Sequence, residues 1–264
     1  MELPPLTQRL RAAEAVACEA GRLALRYLAE PAALDVRLKG AQDIVTAADE
    51  AVEQLIVNRL RTAFPQDSFL GEEGGHLEGS AVDMPYWVID PIDGTANFAR
   101  GLPTWCTSIA LVVAGRTELG VIHDPSADLT YTATRGCGAR RNGQRLSVST
   151  TADVARATVD TGYSSRTPVA AFGDLVTRLL HRGINVTQCG SAALGLARVA
   201  DGRLDGYVER HLYAWDALAG LLLVEEAGGR VNAFLDDDAL TQGNVTIAAT
   251  PALYAVLADC LAGR

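Results

Sequence analysis

The sequence predicts an α+β fold, and three features of its patterning carry that prediction. Two amphipathic helical segments open the chain, short β-type runs fill residues 68 to about 149, and extended and helical segments alternate from 151 to 264. A chain of 264 residues buries about three quarters of its unfolded surface. Because no Pro/Ser/Gly-rich linker interrupts it, we expect one unit over residues 1–264, with sub-halves of about 1–150 and 151–264.

The first two predicted elements are helices with one apolar face each. Apolar residues at steps of three and four predict a long first helix that ends before Pro31. These positions are Leu6, Leu10, Ala13, Ala17, Ala20, Ala24 and Leu28. Thr46 and Asp49 fit a variant of the capping box and begin a second helix, which Phe64-Pro65 closes. Its predicted apolar face comprises Val52, Leu55, Ile56, Leu60 and Ala63.

The remaining elements divide into two groups of strands. The runs SFLG, YWVID, TSIALVV, LGVIHD and LTYTAT are separated by turn residues and predict a largely antiparallel sheet packed on the two opening helices. Farther on, TVDTGY, NVTQCG and LDGYVE predict strands, and residues 168–182, SAALGLARVADG and residues 215–228 predict helices. This alternation indicates a second sheet flanked by helices.

Composition excludes several classes of protein. The chain carries 23 Lys and Arg against 32 Asp and Glu, a net charge of −9, which opposes sequence-independent binding to nucleic acid or an anionic membrane. Its five cysteines are widely spaced and lack a C-x-x-C pair, so neither a disulfide framework nor a zinc site is predicted. The N-terminus lacks the apolar run of a signal peptide, and no segment approaches the ~18 apolar residues of a membrane span. We therefore expect a cytoplasmic protein.

The stretch WVIDPIDGTANF places two aspartates, Asp90 and Asp93, at the end of a predicted strand. Pro91 is expected to end the strand between the two acids, so both carboxylates can face one side. At ~5 Å apart, two such charges repel by roughly 3 kcal/mol at an effective dielectric near 20, and a bound cation reverses that cost. The alternative is structural: Asp90 caps a turn and Asp93-Gly94 is an ordinary D-G turn.

The residues that follow favour a function over a plain turn. A helix predicted from Thr95 would present its first free N–H groups, on Gly94 and Thr95, to the point where the acids converge. Helix N-termini bind phosphate groups. Acids that bind a metal ion and amides that bind an anion at one place predict a phosphate ester as ligand.

Three further acids are candidates, each with a structural alternative. Glu72 lies in the glycine-bracketed loop GEEGG, which is otherwise ordinary solvated surface. Asp216 heads an apolar helix, where an acid also serves as a first-turn or N-cap residue. Asp49 is explained by the capping box alone. Spacing leaves these alternatives open.

Taken together, WVIDPIDGTANF, the upstream GEE and the downstream WDALAGLLLVEEAGG closely resemble the signature motifs of the inositol monophosphatase family. The resemblance extends from KGAQDIVTAAD through the second signature, with the motifs in the family's order. It implies a layered α-β-α-β-α sandwich with two mostly antiparallel or mixed sheets, usually a homodimer. It also implies a Mg2+-dependent, lithium-sensitive phosphatase, with myo-inositol monophosphate as the expected substrate.

The resemblance also implies roles for individual residues. Two to three Mg2+ ions are expected at Glu72, Asp90, the Ile92 carbonyl, Asp93 and Asp216, an all-oxygen set that suits a hard cation. The implied catalytic residues are Glu72, Thr95 and Asp49, with Thr95 and Asp49 orienting a water that attacks directly, without a phosphoenzyme. The implied substrate-binding residues are Asp93, Gly94, Thr95, Gly190, Ser191, Ala192, Glu209 and Asp216.

The chain departs from the family directly after Glu209, where Arg210-His211 replaces small or apolar residues of the animal enzymes. We therefore expect the residues that decide the substrate to lie near Glu209 and Arg210, and histidinol phosphate and sugar phosphates stay open as substrates. A haloacid-dehalogenase phosphatase is disfavoured, because its motif is D-x-D and the spacing here is D-x-x-D. A non-catalytic module that binds a protein or regulatory RNA is also disfavoured, because all five ligand positions are present and the chain is acidic.

Overall fold

A computed structural model describes residues 4–30, 34–40, 43–75 and 84–264. The helices of this part of the chain are α1 (Leu6–Ala29), α2 (Ala47–Ala63), α3 (Thr95–Phe98), α4 (Val169–His181), α5 (Ala192–Ala200), α6 (Ala214–Glu226), α7 (Ala239–Gln242) and α8 (Tyr254–Ala262). Over these ranges, no helix has the length and apolar character that crossing a membrane requires.

The strands form two large sheets and one short hairpin. The hairpin pairs β1 (Arg37–Gly40) with β2 (Asp43–Val45). The first large sheet contains β3 (Ser68–Gly71), β4 (Tyr86–Asp93), β5 (Cys106–Val113), β6 (Arg116–Asp124), β7 (Leu129–Thr134), β8 (Gly138–Arg141) and β9 (Gln144–Arg145). The second contains β10 (Thr158–Asp160), β11 (Asn185–Thr187), β12 (Gly206–Leu212), β13 (Arg230–Val231) and β14 (Asn244–Ala249).

The two opening helices form where the pattern predicts them. Helix α1 buries alanines at the predicted spacing, and this flat face lets α2 and the first sheet approach closely. The capping box at Thr46 begins α2, whose Val52, Ile56 and Leu60 are fully buried. Two positions of the predicted face differ: Leu55 is half-buried and Ala63 is exposed, because the helix ends there. Pro31, the predicted stop of α1, lies outside the described residues.

The first sheet has the strand order of the sequence, β3 to β9, and is antiparallel except for the parallel pair β3 and β4. All eight residues of β4 are buried, because α2 covers one face of this strand and α6 packs against the other. The second sheet has the order β11-β10-β12-β14-β13. It is mixed, since β10 runs parallel to its neighbours and β14 antiparallel to its own.

Helix α6 is apolar around its whole circumference, with nine buried residues in 13. It packs with α5 between the two sheets, while α1 and α2 cover the outer face of the first sheet and α4 and α8 the outer face of the second. The layers are therefore α-β-α-β-α, and the predicted fold is confirmed. Because α6 packs against both sheets, we propose that the two halves form one folding unit.

A buried ion pair fastens the start of α1 to the loop before β3. The guanidinium of Arg9, only 2% exposed, forms a bidentate pair with Asp67, with one N–H to O distance of 3.0 Å. Trp87 Nε1 donates to the same carboxylate at 2.9 Å, and the Arg9 guanidinium lies 4.8 Å from the Phe64 ring centroid. Loss of the carboxylate would leave three buried donors, two on Arg9 and one on Trp87, without this acceptor.

We therefore predict that Asp67→Ala lowers the free energy of unfolding by about 3–5 kcal/mol, because it leaves a buried, uncompensated guanidinium. Urea unfolding followed by circular dichroism measures this. The matched control is Glu19→Ala, which breaks the exposed pair between Glu19 and Arg59 at 2.7 Å and should change stability little. Equal losses for the two variants would contradict the role of the buried pair.

Candidate active site

The two aspartates of the opening motif lie on either side of a β-bulge. Asp90 pairs with Ser108 and Asp93 with Cys106. The chain therefore advances by three residues on β4 over the distance that takes two residues on β5, so β4 contains one extra residue. Pro91 lacks the N–H that a regular ladder needs at this point. The strand was predicted to end between the two acids; it instead continues to Asp93, and the bulge turns both carboxylates to one side.

Asp93 is held by the first turn of α5. Its Oδ2 accepts hydrogen bonds from the Ser191 hydroxyl at 2.5 Å and the Ala193 N–H at 2.7 Å, and its Oδ1 accepts from the Ala192 N–H at 3.3 Å. The Ser191 hydroxyl also caps this helix by accepting from Leu194 N–H. The negative carboxylate thus sits at the positive end of a helix that comes from the second half of the chain.

Asp216 completes the cluster from the first turn of α6. Its Oδ2 accepts from the Tyr213 N–H at 3.1 Å, which confirms the cap-like interpretation of this residue. Ligand oxygens of Asp90, Asp93 and Asp216 all lie within 4.8 Å of one another. The Asp216 side chain therefore both caps the start of α6 and belongs to the acidic cluster.

The cluster holds more negative charge than its surroundings favour. Burial raises the pKa of Asp90 well above its usual range, and the charges of Glu72, Asp93 and Asp216 raise it further. Burial also raises the pKa of Asp93, against the hydrogen bonds from Ser191 and α5. For Asp216, burial and then the Asp93 charge raise the pKa to about 7, and the Arg166 charge opposes them. A cation between these groups would reverse the repulsion.

The loop that carries Glu72 is held by Glu53 on α2, a residue that the sequence pattern did not single out. The Glu53 carboxylate accepts from the N–H groups of Glu73 at 2.9 Å and Gly74 at 2.7 Å. A Cβ at Gly71 would come within 2.4 Å of this carboxylate, which explains the glycine there. Glu72 faces the cavity beside the cluster and adds negative charge to the surroundings of Asp90.

Asp49 both caps α2 and contacts Thr95, the two roles that the sequence analysis left open. Its Oδ2 accepts from the Thr46 N–H at 2.8 Å and the Thr46 hydroxyl at 2.6 Å, which forms the cap of α2. Its Oδ1 lies 3.2 Å from Thr95 Oγ1, whose other acceptor is the Ile92 carbonyl at 2.9 Å. Burial raises the pKa of Asp49 to about 6. The Thr95 hydroxyl proton therefore has two possible acceptors, Asp49 Oδ1 and the Ile92 carbonyl, and can form a hydrogen bond to only one of them at a time.

The predicted helix after Gly94 is a single turn, α3, so the aligned dipole of a longer helix is not available there. Gly94 has a φ of 96°, and a Cβ on it would lie 3.0 Å from the carbonyl oxygens of Gly190 and Thr104. The glycine is needed for this close approach. Gly94 and Thr95 line the cavity together with Gly190, Ser191 and Ala192.

The cavity above the cluster has a volume of about 520 Å³. Among the predicted site residues, those on its wall are Glu72, Asp93, Gly94, Thr95, Gly190, Ser191, Ala192, Glu209 and Asp216; Asp49, Asp90 and Ile92 lie behind it. Glu209 Oε2 accepts a 2.5 Å hydrogen bond from the buried Tyr207 hydroxyl. Burial raises the pKa of Glu209 to about 8. Sequence patterning did not identify Tyr207, although its i−2 position puts it on the same strand face as Glu209.

The expectation that Arg210 lies near the specificity pocket is wrong. Glu209 and His211 line the cavity and Arg210 does not, in a part of β12 where the register against β14 shifts. The Arg210 guanidinium donates to the carbonyls of Ala171 and Leu261, at 3.0 and 3.1 Å. The cation on the cavity wall is instead Arg166, which the sequence pattern did not indicate.

The donors of the cluster fit a magnesium ion. Every side-chain donor is a carboxylate oxygen, the type that hard divalent cations prefer, and within the described ranges no thiol or imidazole joins the group. Two of these acids, Asp90 and Asp216, have pKa values raised by burial and then by the charges of neighbouring acids, and such a site favours a cation over a proton near neutral pH.

Comparisons with known proteins agree with this geometry. The chain is 40% identical over 259 residues to a protein named Nus factor SuhB from Escherichia coli K12, covering 97% of this chain and 95% of that one. Its fold matches the extragenic suppressor protein suhB of Bartonella henselae, with a TM-score of 0.90, 34% identity and coverage of 96% and 98%. It also matches an inositol monophosphatase from Anabaena sp. PCC 7120, with a TM-score of 0.84, 35% identity and coverage of 98% and 96%.

A family model provides the assignment. The model of the inositol monophosphatase family matches residues 6–262, which is nearly the whole chain. The motifs, the layered fold and the position of the acidic cluster agree with that match. The chain therefore belongs to the inositol monophosphatase family, a membership that supports phosphatase activity on a small phosphate-bearing molecule.

Proposed function

We propose that the protein hydrolyses a phosphate monoester in a Mg2+-dependent reaction, with myo-inositol monophosphate as the substrate and inositol and phosphate as the products. The observation that carries this proposal is the convergence of three carboxylates, two buried on β4 and one half-buried on α6, beside a cavity large enough for such a molecule. Family membership supports the phosphatase part of the proposal. The residues that line the cavity are the basis for proposing which ester is hydrolysed.

Two to three Mg2+ ions are proposed at Glu72, Asp90, the Ile92 carbonyl, Asp93 and Asp216. When bound, such ions polarise the phosphate, lower the pKa of a bound water and stabilise the leaving oxygen. The protein contributes rigidity, because each carboxylate is fixed by a different element. The bulge orients Asp90, the first turn of α5 orients Asp93, and the first turn of α6 orients Asp216.

Thr95 and Asp49 are proposed to orient and deprotonate the attacking water. In that step the water gives a proton to Thr95 Oγ1, and the Thr95 proton moves to Asp49 Oδ1, 3.2 Å away. The Ile92 carbonyl oxygen, 2.9 Å from Thr95 Oγ1, has a second lone pair that stays available to a metal ion throughout this transfer. With a pKa of about 6, Asp49 is mostly ionised at neutral pH and able to accept this proton. The resulting oxygen attacks phosphorus in line with the ester bond, without a phosphoenzyme.

The opposite wall of the cavity is proposed to hold the leaving group. Glu209 is fixed by Tyr207 through Oε2, which leaves Oε1 for a substrate hydroxyl. Gly94 and Thr95 line the part of the cavity that would receive the phosphate, and Gly190, Ser191 and Ala192 line the part beside it. The Glu209 carboxyl group, with one oxygen left for a substrate hydroxyl, suits a substrate that carries several hydroxyl groups. Histidinol phosphate and sugar phosphates remain alternative substrates, and His211 is the wall residue that would contact an imidazole or sugar ring.

Phosphate release across a panel of esters tests this proposal. The panel contains inositol 1-phosphate, histidinol phosphate, fructose 1,6-bisphosphate and 3'-phosphoadenosine 5'-phosphate. The proposal requires Mg2+-dependent turnover with the highest kcat/KM on inositol 1-phosphate. Homodimerisation and inhibition by Li+ are further proposals that rest on family membership.

A second candidate function comes from the curated relatives, which are named Nus factor SuhB. The second candidate is therefore the non-catalytic module that binds a protein or regulatory RNA, and such a role needs no hydrolysis. Expression of this chain, and of its Asp93→Asn variant, in an Escherichia coli strain lacking its own SuhB distinguishes the two. Rescue by both proteins favours the binding role, whereas rescue by the unsubstituted chain alone favours hydrolysis.

We predict that Asp93→Asn lowers Mg2+-dependent phosphate release by about 100-fold or more, because it removes a charged ligand of one of the proposed ions. Asparagine keeps an acceptor for the N–H of Ala193, so the variant should stay folded. Steady-state kinetics and circular dichroism measure the two effects. The matched control is Asp174→Asn on the exposed side of α4. Unchanged turnover by the Asp93 variant would refute the assignment.

We predict that Glu53→Gln weakens Mg2+ binding about tenfold, because a glutamine presents only one acceptor to the two N–H groups that hold the Glu72 loop. Isothermal titration with Mg2+ measures the affinity directly. Glu50→Gln, on the same helix but paired with Arg37 at the surface, is the matched control. Identical affinities for all three proteins would show that the loop does not depend on Glu53.

We predict that the metal-free protein loses stability as pH rises from about 4 to about 8. The folded pKa values of Asp216, about 7, and Glu209, about 8, exceed their ordinary values, so the folded state binds more protons than the unfolded state in this window. Mg2+ competes with protons and should stabilise the protein more at pH 8 than at pH 6.

Urea midpoints at several pH values, with EDTA or with Mg2+, measure this dependence. Asp216→Asn removes one of the titrating groups, so it should flatten the pH slope in EDTA and reduce the response to Mg2+. A metal-free protein with the same midpoint at pH 5 and pH 8 would contradict the prediction.

A further inference from the structure

We propose that Asn97 is a positioning residue: its side-chain amide holds loop 188–191, between β11 and α5, so that the N–H groups of Gly190 and Ser191 face the leaving group of the substrate. The inference rests on the proposed phosphatase function and adds to it a contact that joins the two halves of the chain at the site. Asn97 lies in α3, within the motif WVIDPIDGTANF, but it belongs neither to the acidic cluster nor to the cavity wall. It therefore acts on the substrate through other residues.

The side chain of Asn97 connects three segments of the chain. Its Nδ2 donates to the Thr104 carbonyl at 2.7 Å and to the Cys189 carbonyl at 2.9 Å, and it lies 3.4 Å from the Gly190 carbonyl oxygen. All three partners are carbonyl oxygens, which can only accept, so the nitrogen of the amide has to face them. One NH2 group therefore joins α3, the segment before β5 and loop 188–191.

The backbones of these three segments approach so closely that glycines are needed around the amide. A Cβ on Gly94 would lie 3.0 Å from the carbonyl oxygens of Thr104 and Gly190. A Cβ on Gly190, which has a φ of 76°, would lie 2.8 Å from Asn97 Nδ2. The two glycines therefore make room for the amide, and the amide supplies the donors that the converging carbonyls need.

The contacts of Asn97 set the orientation of two peptide units. The C=O and N–H groups of a trans peptide unit point in opposite directions. Because the Cys189 carbonyl is directed at Asn97, the Gly190 N–H points away from it, and the Gly190 carbonyl turns the Ser191 N–H away in the same manner. Gly190 and Ser191 line the cavity together with Glu209. Backbone donors and a carboxyl acceptor on one cavity suit hydroxyl groups, which both accept and donate.

The ends of the loop have their own anchors in the second half of the chain. Asp160 Oδ1 accepts from the Cys189 N–H at 3.1 Å, and the Ala193 N–H of α5 donates to Asp93 at 2.7 Å. These contacts remain when the amide of Asn97 is removed. Loss of the amide therefore frees the peptide units after Cys189 to rotate, while Asp93 keeps its place in the acidic cluster.

The test compares two esters of the same ring. Inositol 1-phosphate and cyclohexyl phosphate both carry the phosphate on a cyclohexane ring, and only the first carries hydroxyl groups. Asn97→Ala should raise KM for inositol 1-phosphate about tenfold, the effect of one or two misdirected hydrogen bonds. KM for cyclohexyl phosphate, kcat for both esters and the calorimetric affinity for Mg2+ should change by less than about twofold, because Asp93 keeps its contact with α5. A general loss of structure would change all of these together.

A second variant separates the donors of the amide from its volume. Aspartate has the size of asparagine but presents carboxylate oxygens to the carbonyls of Thr104 and Cys189. Asn97→Asp should therefore raise KM for inositol 1-phosphate at least as much as Asn97→Ala. The matched control is Asn58→Ala, which removes an exposed asparagine whose partner, Gln54, lies on the same helix α2. This control should leave KM for both esters unchanged.

The loop can also be observed directly in the unsubstituted protein. With Mg2+ present, an unhydrolysable phosphonate analogue of inositol 1-phosphate should shift the amide NMR signals of Gly190 and Ser191. The shifts should be smaller in Asn97→Asp. The measurement on the unsubstituted protein does not depend on the folding of any variant.

The outcomes separate this inference from the proposed function. An unchanged KM for inositol 1-phosphate in the folded Asn97 variants, or an equal rise for both esters, would overturn the positioning role and leave the phosphatase intact. Bound analogue that does not shift the signals of Gly190 and Ser191 would overturn it as well. Absence of Mg2+-dependent phosphate release from every ester by the unsubstituted protein would instead overturn the proposed function.

Discussion

The structure around the cavity depends on the repulsion among the closely spaced carboxylates of Asp90, Asp93 and Asp216. Ligand oxygens of these three groups lie within 4.8 Å of one another. The charges of Asp93 and Asp216 raise the pKa of Asp90, and the charge of Asp93 raises the pKa of Asp216. Such a cluster persists in a folded protein only if other interactions hold it together. The bulge at Pro91, the first turn of α5 and the first turn of α6 supply those interactions, and all three converge because α5 and α6 lie between the two sheets.

The same arrangement explains why structural and functional interpretations of single residues do not exclude each other. Asp49 caps α2 with one oxygen and faces Thr95 with the other. Ser191 caps α5 and also donates to Asp93. A cap fixes the rotamer of its side chain, so the second oxygen or lone pair is placed without further support. The helix termini of this fold therefore serve as the scaffold of the site.

Much of the fold was predictable from the sequence. Periodicity placed α1, α2 and α4 to α6 within a few residues of their observed bounds, because each has a long, one-sided or fully apolar pattern. The alternation was predicted to continue to residue 264, but no individual element was assigned after residue 228. Strand β13 and helix α7 have only two and four residues, and α8 is apolar without a clear one-sided pattern. Strand β14, which lies between β12 and β13 in the second sheet, was also missed, although its six residues make it longer than the predicted β10 and β11. Local pattern does not reveal partners that are distant in sequence.

The site was predictable to the extent that its residues belong to contiguous motifs. Asp90, Asp93, Gly94 and Thr95 follow from one stretch of the chain. Glu53, Tyr207 and Arg166 were not predicted, because each acts through a tertiary contact with a loop, a neighbouring carboxyl or an aromatic ring. The role expected for Arg210 was wrong because its guanidinium donates to the carbonyls of Ala171 and Leu261, tertiary contacts that the sequence pattern does not show.

The central claim is that the cluster of Asp90, Asp93 and Asp216 binds divalent cations. Anomalous diffraction from crystals soaked in Mn2+, which shares the preference of Mg2+ for oxygen ligands, tests it most directly. The account predicts anomalous peaks bounded by these three carboxylates and Glu72 at pH 8. Peaks only elsewhere on the protein, or none beside the cluster, would contradict it.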